Sequence, residues 1–331
     1  MRVAESLNAA LHGVLLDDPR VHLLGEDVLD PYGGAFKITK GLSSRFPGRV
    51  LATPISEGGV VGVAGGLALT GDKPIVEIMF SDFAALAFDQ ILNFAAKSVT
   101  MYGRRLGLSL VIRCPTGGHR GYGPTHSQSL QKHFIGIPGL SVFEVSPFDD
   151  HRGLFDTMLA LGEPCLLFED KVLYTRRVFT GGAVDGLFRY DVLGDVARVY
   201  ADDPETCDCV LIAPGGLAHR ALDAMRALLL EEEVSCVLLV PRRLHPLDDA
   251  LAAALPGRTT AVVVAEDGPP GAGWGAEVAH RLHEHLWGRL RRPVRLVASA
   301  DSVIPTAAHL ERDVLVQDGD IRRAVQEAVR A

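Results

Sequence analysis

The chain has 331 residues, is 47% hydrophobic and 22% charged, and carries a formal charge of −8. That length suits two domains with enough buried surface to need no staples, and the composition excludes disorder, collagen and coiled coil. The lack of a basic block speaks against nucleic acid as a partner, and the five cysteines form no paired framework, so they read as reduced thiols of a cytoplasmic protein.

No targeting segment is expected, because Met1-Arg2 is followed at once by Glu5 rather than by an apolar run. In chain order, apolar periodicity predicts a helix over 4–16, with Leu7, Ala10, Leu11, Val14 and Leu15 on one face, then short strands at 21–24 and 49–52. A Gly-rich apolar helix over 58–70 follows; it is too short to span a bilayer, so no membrane is expected. A strand at 74–80 leads to a long helix capped by Ser81 or Asp82 and running to Met101. Next come a strand at 108–112, a Gly-rich loop at 117–125, a strand at 141–145, a helix started by Ser146-Pro147 and running to Leu161, and a strand at 165–168. Residues 176–205 lose this rhythm and read as a linker. It resumes with strands at 208–213, 235–240, 260–265 and 293–298 between helices at 217–231, 247–254 and 274–290. The alternation predicts an α/β fold of two doubly wound domains, 1–175 and a smaller one at 206–331.

Several motifs invite chemistry. Gly271-Ala272-Gly273-Trp274-Gly275-Ala276 fits a dinucleotide turn, with Asp301 near the expected acid. Pro269-Pro270 lengthen that turn, however, and its place in the last quarter of the chain favours a packing turn. No G-x-S-x-G elbow occurs. His119, His126 and His133 are separated by Gly and Pro and lack neighbours at ligand spacing, so no metal site is read there. Glu57 stands between a strand end and the Gly-rich helix. It is either a ligand-facing carboxylate at the end of a parallel sheet or a helix-start charge favoured by the dipole. His126, after the 117–125 loop, either acts on a ligand or caps the next segment.

Taken together, ordered segments along nearly the whole chain carry a resemblance. They include Gly25-Glu26-Asp27, Gly33-Gly34-Ala35-Phe36-Lys37, Thr53-Pro54-Ile55-Ser56-Glu57, Lys73-Pro74-Ile75-Val76-Glu77, Ser81-Asp82-Phe83, Asp89-Gln90-Ile91-Leu92-Asn93, His126-Ser127-Gln128-Ser129, Ile137-Pro138-Gly139-Leu140 and Leu244-His245-Pro246-Leu247-Asp248. The chain resembles the beta subunit of the thiamine-diphosphate-dependent decarboxylase component of 2-oxo acid dehydrogenases (pyruvate, branched-chain and acetoin types), in the transketolase-like superfamily.

The resemblance implies an N-terminal domain that binds the cofactor's pyrimidine. Glu57 would hydrogen-bond the pyrimidine ring nitrogen, Phe83 would hold the ring, and His126 would handle the bound intermediate and acyl transfer. The family's Gly-Asp-Gly motif and paired Asn, which hold magnesium and the diphosphate, are missing; the only asparagines are Asn8 and Asn93. The resemblance therefore implies an alpha subunit supplying them, in an α2β2 heterotetramer, and a lipoyl acyltransferase core docked around the segment containing Asp301. It also implies a potassium ion held through the main chain at Leu110, Met158, Leu159, Leu161 and Glu163, with Leu161 in place of the usual Asp. The implied reaction is decarboxylation of a 2-oxo acid with acyl transfer to a lipoyl group. A related thiamine-dependent carboligase or non-oxidative decarboxylase in a dedicated biosynthetic pathway stays open.

Overall fold

A computed structural model describes residues 1–330, and the chain within it divides into two units. The first comprises 1–116, 134–145 and 149–178; the second comprises 117–133, 146–148 and 179 onward. The polypeptide thus leaves the first unit and returns to it twice before settling in the second.

In the first unit, apolar residues at helical spacing form α1 (Val3–Asp17). There follow β1 (Val21–Gly25), α2 (Leu42–Arg45), β2 (Val50–Ala52), α3 (Glu57–Leu69), β3 (Lys73–Glu77), α4 (Ala96–Ser98), β4 (Val111–Thr116), β5 (Ser141–Glu144), α5 (His151–Ala160) and β6 (Cys165–Asp170). The strands pair in parallel in the order β5-β6-β4-β3-β1-β2. The central strands β4 and β6 are buried along their whole length, as a sheet covered on both faces requires. Leu7 and Leu11 of α1 and Leu154 and Phe155 of α5 close one core over Leu23, Ile75 and Leu167. Leu24 and Val76, alternate in their strands, are equally buried, and α3 lies against β1 and β3.

Three expectations change here, and in one the helix read from Ser146-Pro147 begins only at His151, where the Asp150 side chain accepts from the Arg152 amide. The long helix read over 81–101 is a 3-10 turn at Ser81–Ala87, a π turn at Gln90–Ala95 and then α4. Packing against α3 decides this: the Phe94 ring lies where a side chain on Gly65 would stand, and Gln90 lies against Gly58 and Gly62. The strand read at 108–112 is β4, which runs on through Pro115 to Thr116. Pairing with β3 stops at Arg113 opposite Glu77, so Pro115 faces no β3 partner that needs its missing amide.

Register positions the first unit's ligand crevice. Gly25 is level with Ala52 on one side and Glu77 on the other, so β1, β2 and β3 end together. From β1 the chain moves to one edge of the sheet, and from β3 towards the other. Their carboxyl ends are therefore a topological switch point, where open α/β sheets bind ligands. Gly25 also has no room for a side chain, because a Cβ there would sit 2.8 Å from the Glu77 carbonyl oxygen.

The second unit contains β7 (Arg189–Leu193), β8 (Val196–Tyr200), β9 (Cys209–Ile212), α6 (Leu217–Glu232), β10 (Cys236–Pro241), β11 (Arg243–His245), α7 (Ala250–Ala253), β12 (Val262–Ala265), α8 (Trp274–His285), β13 (Arg295–Val297), α9 (Ala308–Val314) and α10 (Asp318–Val329). Its sheet runs β13-β12-β9-β10-β8-β7, parallel up to β10 and antiparallel beyond it. Leu217, Leu228, Ile321 and Val325 of α6 and α10 pack over Leu211, Leu238 and Val263, and α8 lies on β12 and β13. The stretch expected as a linker at 176–205 instead holds the hairpin β7–β8. Leu193 pairs with Val196 across the two-residue turn Gly194-Asp195, with Gly194 at φ +60°. The helix expected to reach 290 stops at His285, just before Gly288 takes a left-handed φ of +78°. No helix among the described residues is long and apolar enough to cross a membrane.

Candidate functional site

Three segments leave the sheet where β1, β2 and β3 end. After β1 come Glu26 and Asp27; after β2 comes the connection 53–56 to α3; after β3 comes the chain to the 3-10 turn carrying Phe83. Glu57 is the first residue of α3, where the helix dipole favours a negative charge, and it is only 8% exposed. Among the described residues no hydrogen bond or ion pair reaches its carboxylate. In the same connection the buried Thr53 hydroxyl oxygen is also without a hydrogen-bond partner among the described residues. Burial, and then the nearby Glu57 and Asp27 charges, raise the Glu26 carboxyl above its ordinary value. A nearly buried carboxylate without a donor, beside a second acid, is suited to a proton-bearing ring nitrogen.

Phe83 is half-buried on the 3-10 turn, against which α3 packs; the Gly58 position touches the Leu86 carbonyl. The structure thus puts Glu57 and Phe83 on packed elements of one unit. Phe83 is held edge-on by Phe80 at 5.9 Å, Phe80 by Phe36 at 5.8 Å, and Phe36 leans on Tyr174 at 5.1 Å. The Tyr174 hydroxyl donates to Glu169 at 2.8 Å. Glu169 accepts a bidentate pair of bonds from Arg113 at 2.8 and 2.6 Å, and the same guanidinium bonds Glu77 at the end of β3. Burial works against a charged Arg113, but Glu169 and Glu77 outweigh it and hold the guanidinium protonated. The aromatic row and this buried ion triad escaped sequence reading. The signal for the triad was a charge in each of three neighbouring strands: Glu77, Arg113 and Glu169.

His126 belongs to the second unit, in the Gly-rich excursion 117–133. Its backbone N–H donates to the Gly123 carbonyl at 3.4 Å, and the Thr125 hydroxyl lies 3.0 Å from Nδ1. The positions named for potassium lie in the first unit. The Leu110 carbonyl accepts from the Cys165 amide at 2.8 Å, and the Cys165 thiol is 3.7 Å from the Met158 carbonyl and 3.5 Å from that of Glu163. The Leu161 amide donates to Thr157 and Met158, buried Leu159 adds no polar side chain, and the Glu163 carboxylate takes the Ser141 hydroxyl at 2.6 Å and Arg105 at 3.5 Å. The Leu110 carbonyl and the Glu163 carboxylate are thus met by the chain's own donors. The G-x-G-x-x-A turn is filled as well. The Glu266 carboxylate accepts from the Gly275 amide at 3.1 Å and leaves no room for a side chain at Gly273. A carboxylate thus occupies the anion position at the start of α8, where a dinucleotide would put its phosphates.

Residues 1–177 match the family model "Transketolase, pyrimidine binding domain", and residues 200–321 match "Transketolase, C-terminal domain". The chain is 36% identical over 330 residues to the Oryza sativa subsp. japonica mitochondrial pyruvate dehydrogenase E1 component subunit beta-1, covering 99% of this chain and 86% of that protein. It is 31% identical over 326 residues to the Rickettsia felis pyruvate dehydrogenase E1 component subunit beta, covering 98% and 97% respectively. Among solved structures, a split-gene transketolase described as an inactive beta4 tetramer shares the fold, with a TM-score of 0.73, 22% identity, and 99% and 98% coverage.

Proposed function

The chain belongs to the transketolase-like family of pyruvate dehydrogenase E1 beta subunits, and from that premise we propose that it works with an alpha subunit, in an α2β2 assembly, to decarboxylate a 2-oxo acid and pass the acyl group to a lipoyl acyltransferase. The observation that carries this reading is Glu57: a buried carboxylate, unpartnered among the described residues, at the level ends of three parallel strands. Thiamine diphosphate, when bound, supplies the carbon nucleophile and the electron sink of the reaction. Glu57 shares a proton with the pyrimidine ring nitrogen, and beside it burial and then the Glu57 and Asp27 charges hold the Glu26 carboxyl above its ordinary value. Phe83, braced by Phe80 and Phe36, holds the ring against sliding. His126 orients the 2-oxo acid and moves a proton during transfer to the lipoyl sulfur. Magnesium and diphosphate fall to the alpha subunit, since the chain has neither Gly-Asp-Gly nor paired Asn.

Glu57→Gln keeps the size of the side chain but removes the shared proton. In the assembled enzyme, hydrogen–deuterium exchange at the thiazolium carbon is expected to slow by about two to four decades while cofactor still binds. An unchanged exchange rate removes Glu57 from this role. A lipoyl-domain acceptor assay then separates acyl transfer from carboligation, because only the former reduces the acceptor.

A further inference from the structure

Helix α9 is a short surface helix with one anomaly. Of its residues only Glu311 is buried, at 3% exposure. A carboxylate turned inward from an exposed helix must find donors or stay uncharged. Glu311 finds them in the loop that leads to His126. One carboxylate oxygen accepts from the His119 backbone amide at 2.8 Å, and the other from the Gly121 amide at 3.3 Å. This is the arrangement in which a turn's backbone N–H groups wrap an anion, with the protein's own side chain as the anion.

The loop's backbone takes a costly shape. Gly117, His119, Gly121 and Gly123 all sit in the left-handed region, at φ +82°, +62°, +68° and +76°. His119 is not a glycine, and its buried Nε2 has no hydrogen-bond partner among the described residues, so side chain and backbone both disfavour this shape. Neighbouring side chains from the end of the unit fill the remaining space: a Cβ on Gly118 would overlap Leu315, and one on Gly123 would come within 2.7 Å of the Thr306 hydroxyl. The His126 amide then bonds back to the Gly123 carbonyl, which ties the His126 backbone to the loop.

We propose that Glu311 is a positioning residue for His126. It accepts hydrogen bonds from two backbone amides of a loop in a costly shape and so fixes where the imidazole stands. The proposal rests on the role given to His126 above and adds the element that holds it.

The test uses the assembled enzyme. Glu311→Gln turns an N–H group towards one of the two loop amides. Backbone amide exchange across 117–126 is expected to rise by about tenfold or more, a readout independent of activity. Acyl transfer to a lipoyl acceptor should fall by about 10- to 100-fold, while exchange at the thiazolium carbon stays within about twofold of wild type. The double variant His126→Ala/Glu311→Gln should lose no more transfer than His126→Ala alone. Unchanged loop exchange in Glu311→Gln overturns the proposal, as does an equal fall in transfer and thiazolium exchange, or a double variant whose losses multiply. If His126→Ala transfers normally while Glu311→Gln still loosens the loop, the reading of His126 fails, and the positioning role with it. Should Glu311→Gln not fold, Gly121→Ala adds a methyl group 3.2 Å from the Thr306 carbonyl at φ +68° and must produce the same pattern.

Discussion

Glu57, Glu26 and Asp27 form a group of like charges in which burial and then the Glu57 and Asp27 charges act on Glu26, a costly arrangement for stability. Because burial and its neighbours raise the Glu26 carboxyl, ionising it opposes folding. That cost is absent below the ordinary carboxylate pKa and grows as pH rises through the raised value. Glu26→Gln is therefore expected to raise the thermal midpoint at pH 7 by about 1–3 °C, with the gain vanishing below about pH 4. A midpoint that rises equally at both pH values would mean that the gain is not electrostatic. Glu57 was legible in the sequence because a strand end, a Gly-rich helix and the family motif converge on it. Glu26 was legible only as part of a motif; its charge matters through proximity to Glu57, and that proximity follows from the register of β1 and β2.

At the scale of elements, α3 shows why periodicity misled further along the chain. Its glycines let the 3-10 and π turns of 81–95 lie against it, with Phe94 packed into the Gly65 position. A sequence window sees apolar residues at helical spacing and reads one continuous helix; the notch at Gly65 is a property of another segment. Ala normally stabilises a helix interior by about 0.5–1 kcal/mol over Gly. Gly65→Ala is nevertheless expected to destabilise the chain by about 1–3 kcal/mol, because the methyl group meets the Phe94 ring. Urea unfolding checks the sign, and a stabilised variant would show that the π turn does not depend on this contact. The hairpin β7–β8 was missed for a different reason. Its alternation is readable, but the neighbouring Gly181-Gly182, Gly186 and Gly194 made the whole stretch look like a connector.

Across the whole molecule, the residues proposed for cofactor activation and for acyl transfer fall in different units, Glu57 and Phe83 in one and His126 in the other. The sequence has neither the Gly-Asp-Gly motif nor the paired Asn expected of a magnesium clamp. The isolated chain is accordingly expected to bind thiamine diphosphate weakly or not at all, with affinity appearing only when an alpha subunit is added. Calorimetry with and without that partner decides it, and tight magnesium-dependent binding by the chain alone would sink the half-site reading. The restart of alternation after 205 pointed to a second domain, while the second unit of the structure also takes in 179–205 with the hairpin β7–β8. The excursion 117–133 could not be read from the sequence, because its membership of the second unit depends on residues near the other end of the sequence.

That excursion has a consequence for synthesis. His119 leaves the ribosome 192 residues ahead of the Glu311 carboxylate that receives its amide. At about 5–20 residues per second, the loop waits roughly 10–40 s for its anchor. During that interval the first unit can already be largely folded, while the strand-to-strand connection bearing His126 is exposed to proteases and to chaperones. The loop bearing His126 is thus among the last parts of the nascent protein to lock, and a chain cut short before Glu311 would lose both that loop's anchor and the Ile321 and Val325 side chains that close the second unit's core.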